Sequence, residues 1–202
     1  MRTIFTSILW EISVALTDTT GLPSEVMSEL KREVEAIYAT ASVQIQWSSE
    51  GSLGLAEHTA RVYLLHRLPA MLETRLRAFR RERPMAAAFG ERGSVTAQAI
   101  YVSRSAVCAS ATPGTPDSLS SEDLATALGR VVAHELAHRF VSREHAPRGI
   151  LKAALRGSEL TGPAGGPHFT DEEVRLLREM ARPVSATGGP SFPGAVSPPY
   201  RR

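Results

Sequence analysis

Long apolar runs are missing from this chain. No stretch reaches the roughly 18 residues that a membrane-spanning helix needs, so no transmembrane segment is expected. Cysteine is almost absent. Cys108 stands alone, which excludes an intrachain disulfide and removes one mark of secreted proteins. It is remote in sequence from the histidine cluster described below and reads as a small packed side chain. A dominant charge is missing too: 23 Lys and Arg face 21 Asp and Glu, for a net charge of +2. The one basic cluster, Arg75 to Arg83, has no interleaved aromatic residue beyond Phe79. It therefore reads as a solvated helix face, and no nucleic-acid partner is expected.

What is present suits one folded unit. The 202 residues are 43% hydrophobic, enough for a substantial core in a single domain over 1–182. From Pro183 onward Pro, Gly and Ser dominate, which predicts a disordered tail over 183–202. At the other end Met1-Arg2 and the apolar run Ile4 to Trp10 faintly suggest an export signal. Glu11 interrupts that run and no A-x-A-like site follows, so it reads as a lead-in to a first strand.

Ile12, Val14 and Leu16 alternate with smaller or polar residues, as in a half-buried strand. Asp18 to Pro23 is a turn. Ser24 is expected to cap a helix whose apolar face is Val26, Leu30, Val34 and Ile37. Val43 to Trp47 alternates strictly, Arg61 to His66 is a third strand, and Ser48 to Gly54 is a loop. Residues 70–83 predict a charged helix or a long excursion. Met85 to Phe89 and Val95 to Val102 predict two more strands, and Ala109 to Ser118 a loop. After Arg156 to Pro167, read as another loop, Thr170 opens a last helix with Asp171, Glu172 and Glu173 where the dipole favours acids. Strands with helices packed on them predict an α+β domain with a mixed sheet.

The chemistry concentrates in His134-Glu135-Leu136-Ala137-His138, an H-E-x-x-H motif with His145 seven residues further on. Ser120, with Asp123 three residues later, is a start signal for a helix over 121–141. Leu124, Ala127, Leu128, Val131 and Leu136 give it an apolar stripe. On such a helix positions i and i+4 share a face, so His134 and His138 can aim imidazole nitrogens at one ion from about 2.0–2.1 Å each, as zinc requires. Glu135 projects beside that point, where a carboxylate can take a proton from metal-activated water. An ordinary amphipathic helix carrying two packed or exposed histidines is the plain alternative.

A catalytic zinc takes three protein ligands, and four residues could supply the third. His145 lies just past Val141, near enough for the chain to turn back. Glu144 precedes it. Glu159 comes 21 residues after His138, which resembles the gluzincin arrangement, and His168 follows a Gly- and Pro-rich loop. His58 and His66 precede the motif by far and are read as histidines without a metal role.

With the histidines in place, the segment resembles the metzincin metalloproteases, whose pattern is H-E-x-x-H-x-x-G-x-x-H followed by a turn carrying a methionine. His134, Glu135 and His138 match in place. Val141 stands where the family has glycine, Glu144 occupies the third-ligand slot, and His145 comes one residue late. Pro147 to Ala153 is similar to the methionine turn, with Leu151 at the methionine position. Residues 12–47 look like the N-terminal half of small bacterial metzincin-like domains, and Met85 to Phe89 falls where that family has an edge strand above the cleft. The resemblance spans roughly residues 12–180. It implies a mostly parallel twisted sheet with an active-site helix and zinc as cofactor. His145 is then the preferred third ligand, since imidazole is the commoner zinc ligand and a longer loop accommodates Val141. The implied activity is a zinc-dependent metallopeptidase acting on a peptide or protein, with Glu135 as general base. A catalytically silent, zinc-stabilised peptide-binding protein is the competing expectation.

Overall fold

Alternation and 3.6-residue periodicity build the first half of the chain as expected. The computed structural model describes residues 10–48, 58–79, 85–89, 98–115, 119–141, 144–162 and 166–180. β1 (Trp10–Asp18) runs into α1 (Ser24–Ala39) and β2 (Val43–Ser48), followed by β3 (Thr59–Leu65) and α2 (Ala70–Phe79). β4 (Ala86–Phe89) and β5 (Gln98–Ser103) come next, then α3 (Arg104–Ala111), α4 (Ser121–Phe140), α5 (Ser158–Thr161) and α6 (Asp171–Met180).

The strands form one sheet in the order β2-β1-β3-β5-β4. β2, β1, β3 and β5 are mutually parallel and β4 lies antiparallel against β5 at the edge. The arrangement is α+β with a mixed, mostly parallel sheet. The register aligns Ile12 with Ile45, Leu16 with Val62, Val62 with Ile100 and Leu64 with Val102. All of these except the partly buried Leu16 are buried. They form one apolar face, because alternate residues of a strand point the same way. The buried sides of α1 (Val26, Leu30, Val34, Ile37) and α4 belong to the same core. Gly129 lets α1 and α4 approach closely: a Cβ there would lie 2.8 Å from the Glu33 Cβ and 3.0 Å from the Leu30 carbonyl oxygen.

Several local expectations are corrected. Pro23, not Ser24, occupies the cap position of α1, and no side chain caps that helix. Ser24 is already its first helical residue. Ser48 closes β2 instead of opening a loop. Residues 104–111 form α3, so the segment expected to be loop from Ala109 begins in helix; the Ser103 hydroxyl accepts from the Ala106 amide at 3.2 Å and starts it. α5 is one helical turn inside the segment expected as a loop over 156–167. The expected strand at Val95 is described from Gln98, and residues 90–97 lie outside the described set. So do residues 1–9, residues 80–84 of the expected excursion, and the Pro-rich tail within 181–202. Among the described residues no helix is long and apolar enough to cross a membrane.

Candidate metal centre

α4 is fixed before it delivers any chemistry. At its start the Ser120 hydroxyl accepts from the Asp123 amide at 3.0 Å and donates to the Asp123 carboxylate at 2.7 Å. Glu122 and Asp123 place negative charge on the N-terminal turn, where the helix dipole favours it. The expected stripe is buried, and Ala125, Ala133, Ala137 and Gly129 extend burial around most of the helix. One charged residue sits within it. Arg130 is fully buried; its Nε donates to Glu33 of α1 at 2.7 Å, and its two terminal nitrogens donate to the carbonyls of Glu159 and Gly162 at 3.0 Å each. A buried charge is tolerated only when paired and hydrogen-bonded. Here that requirement ties α4 to α1 and α5 one turn before His134.

His134, His138 and His145 converge. Their ligand atoms all lie within 4.8 Å of one another, which makes them a group able to hold a metal ion. His134 is 9% exposed, and its Nδ1 is 2.6 Å from the Ile150 carbonyl oxygen. A carbonyl only accepts, so Nδ1 carries the proton and Nε2 presents a lone pair. That nitrogen lies 3.0 Å from His138 Nε2. That separation puts both nitrogens within reach of one shared ion, and it is equally the distance of a hydrogen bond between the two rings. The His145 ring is 4.7 Å from that of His138 and 5.7 Å from that of His134, centroid to centroid. Three imidazoles, one with its tautomer fixed by a carbonyl, form a donor set that suits a borderline divalent ion.

Glu135 stands beside this group rather than in it. Its side chain is 13% exposed, and Oε1 is 4.0 Å from His134 Nε2. With Met85, Ala86, Val131, His134, Ala153 and Leu155 it lines a cleft. One wall of that cleft comes from the start of the edge strand β4 and another from the segment after the histidine turn.

His145 opens a hydrogen-bonded turn. α4 ends at Phe140, and its cap Val141 has φ −115° and ψ −66°, a right-handed backbone that valine adopts without strain. Residues 142 and 143 lie outside the described set. Beyond His145, the Ala146 amide donates to the Leu151 carbonyl at 2.9 Å and the Ile150 amide to the His168 carbonyl at 3.0 Å. Gly149 has φ +84°, and a Cβ there would lie 2.6 Å from Glu173 Oε2 and 2.7 Å from Thr170 Cγ2. Glycine is therefore required twice over, for backbone and for space. Leu151 is buried in the core.

The other candidates go elsewhere. Glu159 pairs with Lys152 and accepts from the Arg156 amide at 3.4 Å. Glu144 and His168 are exposed, and neither belongs to the converging group. The His58 ring packs edge-on to Trp10 at 4.6 Å, and His66 is exposed. Cys108 is half-buried on α3 against the core.

Sequence reasoning left out Arg130 and read Glu173 only as an acid in the first turn of the last helix. Arg130 was visible as a charge interrupting an apolar stripe. Glu173 was visible as the last residue of Thr170-Asp171-Glu172-Glu173, a T-x-x-E capping box. No protein-family model matches the chain, and no curated protein matches its sequence.

Proposed function

We propose that this protein is a zinc-dependent peptidase of metzincin type, with His134, His138 and His145 holding the ion and Glu135 as general base. The observation that carries this reading is the convergence of three imidazoles with a partly buried carboxylate beside them, at a cleft bordered by an edge strand. A zinc ion bound there supplies Lewis acidity for the scissile carbonyl and lowers the pKa of water. Glu135 then takes the proton of the attacking water and passes it to the leaving amine. Its place on α4 suits that role, and a purely structural metal site has no use for a general base. β4 offers its outer side to an extended peptide, which can add to the sheet through main-chain hydrogen bonds. The parallel sheet with an antiparallel edge strand, and the convergence of His145 on the two α4 histidines, support the family reading. The Lys152–Glu159 pair weighs against a gluzincin-type ligand set.

The test is cleavage of a peptide library by zinc-loaded wild type and by Glu135→Ala. The variant is expected to retain zinc and lose about 10²–10⁴-fold in rate, the usual contribution of general acid–base catalysis. Folded, zinc-loaded wild type that cuts nothing the variant spares would leave a zinc-held peptide-binding protein as the better description.

A further inference from the structure

Glu173 is a buried carboxylate that the peptidase mechanism does not use. It is 3% exposed and accepts on both oxygens: from the Thr170 amide at 2.6 Å, as a helix cap, and from the Leu151 amide at 3.1 Å. The Leu151 N–H and the Ile150 C=O belong to one planar peptide unit. The oxygen end of that unit accepts from His134 Nδ1 at 2.6 Å. One peptide group therefore links a carboxylate to the ring of a metal-ligand candidate.

We propose that Glu173 is a positioning residue that acts on His134 through the Ile150–Leu151 peptide. A negative charge at the N–H end polarises the amide and strengthens its carbonyl as an acceptor, since hydrogen bonds in a chain reinforce one another. The stronger acceptor holds the proton on Nδ1, fixes the ring's rotation and makes Nε2 a better donor to a cation. A carboxylate hydrogen-bonded directly to a ligating histidine does the same in many zinc sites; here a peptide bond is interposed. The surroundings keep the relay in register. Gly149 leaves room for the carboxylate, the His168 carbonyl holds the Ile150 amide, and Ile150 and Leu151 are both buried. The metal-binding half of the proposal rests on the zinc reading above. The tautomer half does not.

Glu173→Gln keeps size and one acceptor oxygen but removes the charge. The control is Thr170→Val, which deletes the hydroxyl accepting from the Glu173 amide at 3.3 Å and so weakens the same helix cap without touching the peptide. Zinc affinity, measured by chelator competition, is expected to fall about 10-fold in Glu173→Gln, the low end for partners beyond the ligands themselves. It should stay within twofold of wild type in Thr170→Val. In the metal-free proteins, nitrogen NMR should show His134 protonated at Nδ1 alone in wild type and Thr170→Val, and as a tautomer mixture in Glu173→Gln. A folded Glu173→Gln with wild-type tautomer and affinity overturns the proposal, as does an equal loss in Thr170→Val. If Glu173→Gln fails to fold, the wild-type spectrum decides. A downfield, exchange-protected Leu151 amide together with an Nδ1–H tautomer supports the relay, and absence of either overturns it. Wild type that binds no zinc while showing the tautomer sinks the peptidase reading and leaves the relay standing.

Discussion

The β1-α1-β2-β3 region and the described residues from Val141 to Met180 share one apolar core but differ in what sets the path of the chain. In the first, contact is apolar and repetitive: Ile12, Val14, Leu30, Val34, Ile45, Val62 and Leu64 are all buried, and on the buried face the register sets Ile12 beside Ile45 and Leu16 beside Val62. In the second, Ile150, Leu151, Leu155, Leu160, Phe169 and Leu177 are buried too, but outside α5 and α6 the path of the described chain is set by hydrogen bonds at Ala146, Gly149, Ile150 and Leu151 and by the capping box of α6. Burial is non-directional and scales with area, so it sets how firmly the sheet and α1 hold. Hydrogen bonds are directional, so they set where His145 and the His134 ring point.

That contrast predicts a separation of stability from metal affinity. The largest effect belongs to the converging histidines. His145→Ala should weaken zinc binding by more than about 100-fold, beyond the range of partners that only support ligands, whereas Glu144→Ala should leave chelator-competition affinity near wild type. Equal affinities in the two variants would remove His145 from the site.

Next come one substitution in each region. Leu64→Ala opens a cavity under the sheet and should cost about 2–5 kcal/mol in urea unfolding, with zinc affinity unchanged in the folded protein. Gly149→Ala forces a Cβ into left-handed backbone and against Glu173. It should cost about 1–3 kcal/mol and lower zinc affinity as well, because the Ile150 carbonyl moves with the turn. A Leu64 variant that loses zinc, or a Gly149 variant that keeps it at wild-type strength, would break the distinction.

The smallest effect lies where the two regions meet. The Tyr38 hydroxyl of α1 donates to the Ala133 carbonyl at 3.3 Å, and its ring packs edge-on to Phe169 at 5.0 Å. Burial, reinforced by the nearby Glu173 carboxylate, holds the phenol well above its ordinary value of 10.0. A raised folded-state pKa favours the neutral phenol in the fold. That contribution is complete below pH 10 and is lost as pH rises toward the folded-state value. Tyr38→Phe should therefore show a shallower loss of stability above pH 10 than wild type, read by chemical unfolding across alkaline pH.

The sequence was most legible where side-chain pattern alone decides structure. Val43 to Trp47, the face of α1 and the Ser120 start of α4 were readable because period 2, period 3.6 and a cap residue are local signals. α3 was overlooked because its two turns follow β5 without a break and bury only Val107 and Ala111, too few positions to show a period. The expected cap at Ser24 failed because Pro23, with extended backbone, already holds the boundary. Of the site, His134, Glu135 and His138 were visible through fixed spacing on one helix. Choosing among His145, Glu144, Glu159 and His168 required knowing where a non-periodic chain goes.

By itself, then, the sequence determined that a helix presents two imidazoles and a carboxylate at set angles, since helix geometry follows from local residues. Only the tertiary structure decided that His145 joins them, that Glu159 turns away to Lys152, and that one peptide spans Glu173 and His134. Those outcomes depend on where a non-periodic chain runs and on which side chains its backbone groups meet there, as at Ile150 and Leu151; every residue's backbone carries the same groups, so side-chain pattern alone does not encode which of them will meet.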